Sequence, residues 1–184
     1  MAFSFFRMAP AALVAGLLAA GCNPTFNWRE APLGGDGLVV LLPCKPDRAT
    51  RDVTLADERV ALEMAGCEAG DATFTVARTV ARDAPQATAR LHAWQAALAA
   101  NLRDAAPQES PATVAGAVAA PAPVRIVASG TDAQGRPAQS QSLWFAGPVR
   151  GGPPGALALY QASVLGQPRE PEAVATFFAG LRLP

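Results

Sequence analysis

Few side chains in this sequence have the types and spacing that catalysis or metal binding requires. His92 is the only histidine, and a general base also needs an orienting partner and a nucleophile. Neither a Gly-x-Ser-x-Gly turn nor a His-Glu-x-x-His pair accompanies it. Cys44 and Cys67 lack the Cys-x-x-Cys spacing that lowers a thiol pKa or supplies half of a zinc site. We therefore predict a protein that is not an enzyme and that needs no cofactor and no metal ion.

The charge balance argues against nucleic-acid binding. The chain has 184 residues, with 15 basic and 15 acidic side chains and no formal net charge. Binding to phosphate backbones relies on a concentrated excess of Lys and Arg, so we exclude nucleic acid as a partner. Lys45, Arg48 and Arg51 do cluster, but Asp47 and Asp52 are interspersed with them. We interpret this mixed-charge loop as a solvated surface in preference to a contact with anionic lipid.

The first 21 residues have the composition of an export signal. Arg7 precedes an apolar run over residues 8–21. A membrane-spanning helix needs about 20 apolar residues, whereas this run is shorter and contains Pro10. We therefore interpret residues 1–21 as a signal helix that is removed, with a transmembrane helix as the less favoured alternative.

The segment Leu17-Leu18-Ala19-Ala20-Gly21-Cys22 resembles the lipobox of bacterial lipoproteins. The resemblance implies that Cys22 is diacylated and becomes the new N-terminus, so that a membrane is the first predicted partner. Two or three acyl chains make release from the membrane negligible. Ala19 stands where leucine is usual, which leaves an ordinary secretory cleavage without lipid on Cys22 as the alternative. In lipoproteins of this kind, an aspartate directly after the lipidated cysteine favours retention in the inner membrane. This chain has Asn23 at that position, which implies that the protein lies on the periplasmic face of the outer membrane.

The same resemblance implies that Cys44 and Cys67 are the two thiols left in an oxidising compartment. Two such cysteines are best interpreted as one disulfide. A cross-link that closes a loop of this length stabilises a fold by about 3 kcal/mol in the chain-entropy description. A reactive or metal-binding pair is the alternative that we favour less.

The rest of the chain is long enough for one domain, which we place at residues 37–184. Residues 22–36 have no sustained period and contain Pro and Gly, so we predict that the lipidated N-terminus continues as a tether. Phe26 and Trp28 lie in this tether. We expect both rings to pack on the domain, in preference to the membrane interface or a partner.

Hydrophobic patterns predict about six strands in this domain. Leu38-Val39-Val40-Leu41-Leu42 is continuously apolar, which predicts a central strand that is covered on both faces. Alternating patterns predict antiparallel neighbours. The other predicted strands cover residues 60–65, 73–77, 124–129, 139–146 and 156–165, with a further short stretch at residues 52–55.

Two segments have helical periodicity. In residues 85–103 an apolar side chain recurs at every third or fourth position, namely at Ala87, Leu91, Trp94, Leu98 and Leu102. Asp83 is the predicted cap of this helix, Arg90 lies off its apolar stripe, and His92 is expected to face solvent. A short helix begins at Pro171 and has one apolar face, formed by Val174, Phe177, Phe178 and Leu181.

The order of strands, helix, strands and helix predicts an α+β fold with the two helices packed on a mainly antiparallel sheet. Residues 107–123 are rich in Pro and Ala and predict a poorly ordered connection between the two halves. A lipocalin-like barrel is the less favoured fold, because the chain has two predicted helices. With Leu41-Leu42-Pro43 near its start and Ala175-Thr176-Phe177-Phe178-Ala179-Gly180-Leu181-Arg182-Leu183 at its end, the layout resembles the Mog1p/PsbP-like group of small α/β/α domains. The resemblance implies an accessory role and offers no catalytic residue.

These observations predict a lipid-anchored lipoprotein of the cell envelope. The function that we favour is that of a non-catalytic accessory module, which binds another envelope protein. A module that binds a small apolar ligand or a lipid is the alternative, and an enzyme ranks last.

Overall fold

The computed structural model describes residues 25–104 and 106–184 of the protein. The predicted signal peptide and Cys22 lie outside the described residues. The two helices that it describes are α1 (Ala84–Asn101) and α2 (Glu172–Ala179). The strands of the described part are β1 (Arg29–Leu33), β2 (Leu38–Leu42), β3 (Asp47–Leu55), β4 (Glu58–Ala69), β5 (Ala72–Ala81), β6 (Gln108–Pro111), β7 (Val124–Thr131), β8 (Pro137–Pro148) and β9 (Leu157–Gly166).

Seven strands form one antiparallel sheet in the order β3-β4-β5-β9-β8-β7-β6. The predicted α+β class with a mainly antiparallel sheet is therefore confirmed. The predicted number of about six strands is too low, because the described part of the chain contains nine. The two strands that the sequence patterns missed entirely are β1 and β6, which carry no alternating apolar pattern.

The apolar segment Leu38–Leu42 forms a strand, but the prediction that it is central is wrong. β2 pairs with β1 in a separate two-stranded sheet, and β9 holds the centre of the large sheet. One face of β2 is fully buried in the core that lies between this hairpin and the large sheet. Leu41 on its other face closely approaches Gly180 at the end of α2, while Phe177 of α2 meets Phe74 of the large sheet within the same core. The half-buried Val39 and Leu41 complete a continuous apolar pattern that resembles that of a central strand.

Helix α1 covers the opposite face of the large sheet. Its N-terminus is capped as predicted, because the backbone N–H of Gln86 donates to Oδ1 of Asp83 at 2.8 Å. The predicted apolar stripe packs on the sheet, where the ring of Trp94 meets Trp144 edge-on at a centroid distance of 5.3 Å. Arg90 lies off that stripe but is only 8% exposed. Its long side chain reaches under the helix to the sheet, which the helical period alone does not show.

The predicted tether at residues 22–36 is wrong for its second half. Residues 29–33 form β1, and residues 34–37 form the turn into β2. Phe26 and Trp28 pack against the core of the domain, as expected. The sequence pattern did not predict this hairpin, because Pro32 and the glycines of the turn are typical of loops. Only Ala31 and Leu33 of the strand have side chains that face the core.

The predicted disorder of residues 107–123 is also wrong. Gln108–Pro111 pairs with β7 as the edge strand β6, and the backbone N–H of Ala112 donates to the carbonyl of Pro123 at 3.1 Å. Ala115 forms a parallel bridge to Arg182 beyond α2. Backbone hydrogen bonds to distant segments therefore order a stretch that has few large apolar side chains of its own.

Candidate functional site

The predicted disulfide between Cys44 and Cys67 is present, with Cα atoms 6.0 Å apart. Cys44 follows β2 and Cys67 lies near the end of β4. The bond therefore ties the two-stranded hairpin to the large sheet at one end of the domain. Its role in this arrangement is structural.

The described chain joins the domain beside this disulfide. The backbone N–H of Asn27 donates to the carbonyl of Pro43, next to Cys44, at 2.6 Å. The rings of Phe26 and Trp28 stack with centroids 5.9 Å apart, and both meet the ring of Phe74 edge-on. The chain is therefore fixed to the domain from Phe26 onward.

A surface depression of about 590 Å³ lies at the same end of the domain. Three basic residues line it, Lys45, Arg48 and Arg51, and we call these three residues the basic corner. Arg48 and Arg51 belong to β3, not to the loop that the sequence predicted, and all three side chains are exposed. Among the described residues, none of the three forms an ion pair.

A second depression, of about 280 Å³, continues along β3 and β4 beside α1. Arg51 lines the first depression, and its register partner Leu62 lines the second, so the two adjoin. We call both together the β3–β4 groove. The side chains at its second end are mainly apolar and come from both layers: Val53, Leu55, Leu62, Trp94, Ala97 and Leu98.

The groove is open because α1 does not cover this corner of the sheet. On the uncovered part, β4, β5 and β9 present small or hydroxyl-bearing residues, namely Gly66, Thr75 and Ser163. The hydroxyl groups of Thr75 and Ser163 are 3.0 Å apart and hydrogen-bonded to each other. The two hydroxyl groups therefore satisfy each other's hydrogen bonds, and this part of the sheet surface is accessible to a larger molecule.

A buried ion cluster lies at the opposite end of the β1–β2 hairpin. Asp36, in the hairpin turn, is 2% exposed. Its carboxylate accepts hydrogen bonds from Nε of Arg78 at 2.5 Å and from the hydroxyl of Tyr160 at 3.3 Å. Burial would by itself lower the pKa of Arg78, but the hydrogen bond and the charge of Asp36 raise that pKa above its usual range. Burial, reinforced by the negative charge of Asp36, raises the pKa of Tyr160 well above that of a free phenol.

The geometry of this cluster assigns it to folding. The ring of Tyr160 stacks on Phe145 at a centroid distance of 5.0 Å, and both side chains are fully buried. The carboxylate also accepts the backbone N–H of Arg150 at 3.1 Å. Every polar group of the cluster faces another element of the fold, so the cluster holds the hairpin on the large sheet.

The buried Arg90 makes a second ionic contact, between α1 and the β3–β4 turn. Its guanidinium pairs with Glu58 and donates to the carbonyl of Val80. The hydrogen bond from Arg90 lowers the pKa of Glu58 below its ordinary value. No signal in the helical period of α1 pointed to this contact.

The structure does not bring the remaining chemistry-bearing residue into a site. His92 is exposed on α1, and it does not line the β3–β4 groove. Within residues 25–104 and 106–184, no three His, Cys, Asp or Glu side chains are grouped so that they could hold a metal ion. No helix in this part of the chain has the length and apolar character needed to cross a membrane.

No protein-family model matches this chain, and no curated protein sequence matches it.

Proposed function

We propose that this protein is an envelope lipoprotein, anchored to the membrane through a lipidated Cys22. Its domain acts as a non-catalytic accessory module and binds a segment of another envelope protein in the β3–β4 groove. The lipobox resemblance supports the anchor, and the resemblance to Mog1p/PsbP-like domains supports an accessory role. The openness of the groove is the observation that carries the choice of a protein partner.

Small-molecule sites usually bury about 70–90% of the surface of their ligand. The β3–β4 groove is instead a shallow trough along two strands. One of its walls is β3, the edge strand of the large sheet, whose outer backbone groups have no neighbouring strand in the described part. An extended protein segment fits a trough of this shape, because its own backbone and side chains cover the groove along its length.

The groove also combines the two kinds of surface that protein interfaces use. Its apolar end is lined by the half-buried Leu98 over Trp94 and Leu62, which are each 7% exposed, and apolar side chains commonly form the centre of an interface. Its basic corner supplies exposed cations that surround this apolar part on one side. A partner segment with apolar side chains would match the apolar end of the groove.

Site-specific photo-crosslinking in the natural host tests this proposal. A photoreactive amino acid is placed at Ala97, an exposed residue that lines the groove, or at His92, an exposed residue of the same helix outside it. We expect one envelope protein, identified by mass spectrometry, to be captured at Ala97 and not at His92. The variant Cys22→Ser should lose this product because it leaves the membrane. Equal products at both positions, or none, would argue against a partner in the groove.

The alternative function is the binding of a small apolar ligand or lipid at the apolar end of the groove. The half-buried Leu98 and Val53 favour it, because they leave apolar surface open in the second depression. Native mass spectrometry of the purified domain distinguishes the two functions. A bound apolar molecule that is lost in Leu98→Gln, but retained in Leu165→Gln on the exposed end of β9, would favour this alternative.

A further inference from the structure

We propose that the basic corner contacts the anionic phosphate headgroups of the membrane that holds the protein. This inference rests on the proposed lipidation of Cys22. It adds an orientation: the end of the domain with the Cys44–Cys67 disulfide faces the bilayer, and the apolar end of the β3–β4 groove points away from it.

The chain between the anchor and the domain is short, which keeps the domain close to the membrane. The domain holds the chain from Phe26 onward, through the contacts of its ring with Trp28 and Phe74. Four Cα–Cα steps separate Cys22 from Phe26, and fully extended chain spans at most about 3.6 Å per residue. However residues 22–25 are arranged, the domain therefore begins within about 14 Å of the lipidated residue.

The position of the basic corner carries the second step. Asn27 is hydrogen-bonded to Pro43, and Lys45 follows two residues later in the chain. Arg48 is at the beginning of the edge strand β3, and Arg51 lies about 10 Å further along it with its side chain on the opposite face. Lys45 is therefore nearest to the point where the chain joins the domain, Arg48 is further away, and Arg51 is the most distant of the three.

The charges carry the third step. The exposed Arg59, Arg136 and Arg169 each pair with a carboxylate, whereas within the described part Lys45, Arg48 and Arg51 have no such partner.

Two carboxylates also line the depression of the basic corner. They belong to Asp47 and Glu68, so the surface is positive by one charge, and the exposed Arg29 adds another near the same point. Fields at membrane surfaces decay within about 8 Å at physiological salt, and a connection of at most about 14 Å allows the corner to reach that range.

A membrane is the favoured occupant over an acidic protein because the anchor keeps the membrane constantly within reach. Each basic side chain near an anionic surface contributes about fivefold to binding. In the intact protein this contribution acts within a single tethered molecule, so even a few cations are sufficient to set its orientation.

Lys45 is the only lysine of the chain, which makes its amine a site-specific reporter. The lipidated protein is reconstituted into vesicles of phosphatidylcholine alone, or of phosphatidylcholine and phosphatidylglycerol in equal amounts. The rate at which a water-soluble amine reagent acylates Lys45 is measured by peptide mass spectrometry. We expect acylation to be about fivefold slower with phosphatidylglycerol, and high salt should remove the difference.

Two variants test whether the charges and the position of the basic corner cause this protection. The double variant Arg48→Gln and Arg51→Gln should restore most of the Lys45 rate, because it removes the charges that hold the corner on the membrane. The exchange Lys45→Arg with Arg150→Lys keeps the net charge and moves the single amine to the far end of the domain. Arg150 is exposed there, beside the β1–β2 turn, and its amine should react equally in both vesicles.

The outcomes separate this inference from the proposed function. A lipidated protein whose Lys45 reacts equally in both vesicles overturns the membrane contact and leaves the anchor intact. Protection of Lys45 in native membranes but not in phosphatidylglycerol vesicles assigns the corner to a protein partner, and also overturns it. A protein that carries no lipid in its intact mass overturns the anchor and, with it, this orientation.

Discussion

Replacing Asp36 with Asn tests whether the buried ion cluster holds the β1–β2 hairpin on the sheet. The carboxylate is 2% exposed and accepts hydrogen bonds from Arg78, Tyr160 and the backbone of Arg150. The amide has the same size but no charge, and its NH2 group cannot accept. The side chain of Arg78, 11% exposed, then keeps Glu63 as its only charged partner in the described part.

Removing one partner of a buried ion pair costs about 3–5 kcal/mol, because the other charge is left uncompensated. Glu63 is 41% exposed and lies 3.0 Å from Arg78, so it compensates part of this charge. We therefore expect Asp36→Asn to lower the free energy of unfolding by about 3 kcal/mol. In a domain of this size the Tm should fall by about 6–12 °C. The double variant Asp36→Asn with Arg78→Met should cost less than the sum of the single changes.

Urea denaturation of the oxidised mature chain, made unlipidated by Cys22→Ser, measures these differences by circular dichroism. Asp52→Asn is the matched control, because Asp52 pairs with Arg59 at the surface. The side chain of Asp52 is 54% exposed and that of Arg59 is 78% exposed. Such pairs contribute less than about 1 kcal/mol. A loss below about 1 kcal/mol for Asp36→Asn, or additive effects in the double variant, would refute the reasoning.

Three further predictions concern the disulfide, the Glu58 contact and the hairpin turn. Cys44→Ser with Cys67→Ser should lower the free energy of unfolding by about 3 kcal/mol in urea denaturation, and unreduced wild type should give no thiol labelling at these positions. Because Arg90 lowers the pKa of Glu58, the stability that Glu58 contributes is present above its ordinary pKa of 4.5 and is lost as the pH falls through its folded-state pKa. Wild type should therefore exceed Glu58→Gln in stability at pH 7, with the difference vanishing in acid, whereas a constant difference would contradict this. Gly34→Ala should lower the Tm, because φ is +65° there and a Cβ atom would lie 2.4 Å from the buried arginine of the ion cluster; an unchanged Tm would mean that the turn readjusts.

Local patterns predicted the elements whose residues determine their own conformation. The helical spacing of Leu91 and Trp94, with Asp83 before them, was sufficient to predict α1 and its buried face. Alternation was sufficient for β4 and β5, since period two defines which side chains face the core, and the strands predicted at residues 139–146 and 156–165 are present as β8 and β9. The same reasoning failed for β1 and β6, which are ordered by backbone pairing with other strands and have little apolar pattern of their own.

The candidate site was less accessible to sequence reasoning. Lys45, Arg48 and Arg51 were noted as a cluster, but they were interpreted as a solvated loop. Only the structure shows that they line a depression beside the point where the chain joins the domain. The apolar end of the groove was hidden because Trp94 and Leu98 look like ordinary core residues of an amphipathic helix.

The sequence by itself determined the two helices, most strands and the pairing of Cys44 with Cys67, because these depend on residue types or on spacing. The lipid attachment at Cys22 stays a prediction. The tertiary structure decided which strand is central, how the hairpin docks and where the groove lies. Asp36 and Arg78, which are 42 residues apart, meet only when the hairpin folds back on the sheet. Such contacts depend on how separate elements pack, and local periodicity contains no information about the partner that each face will meet.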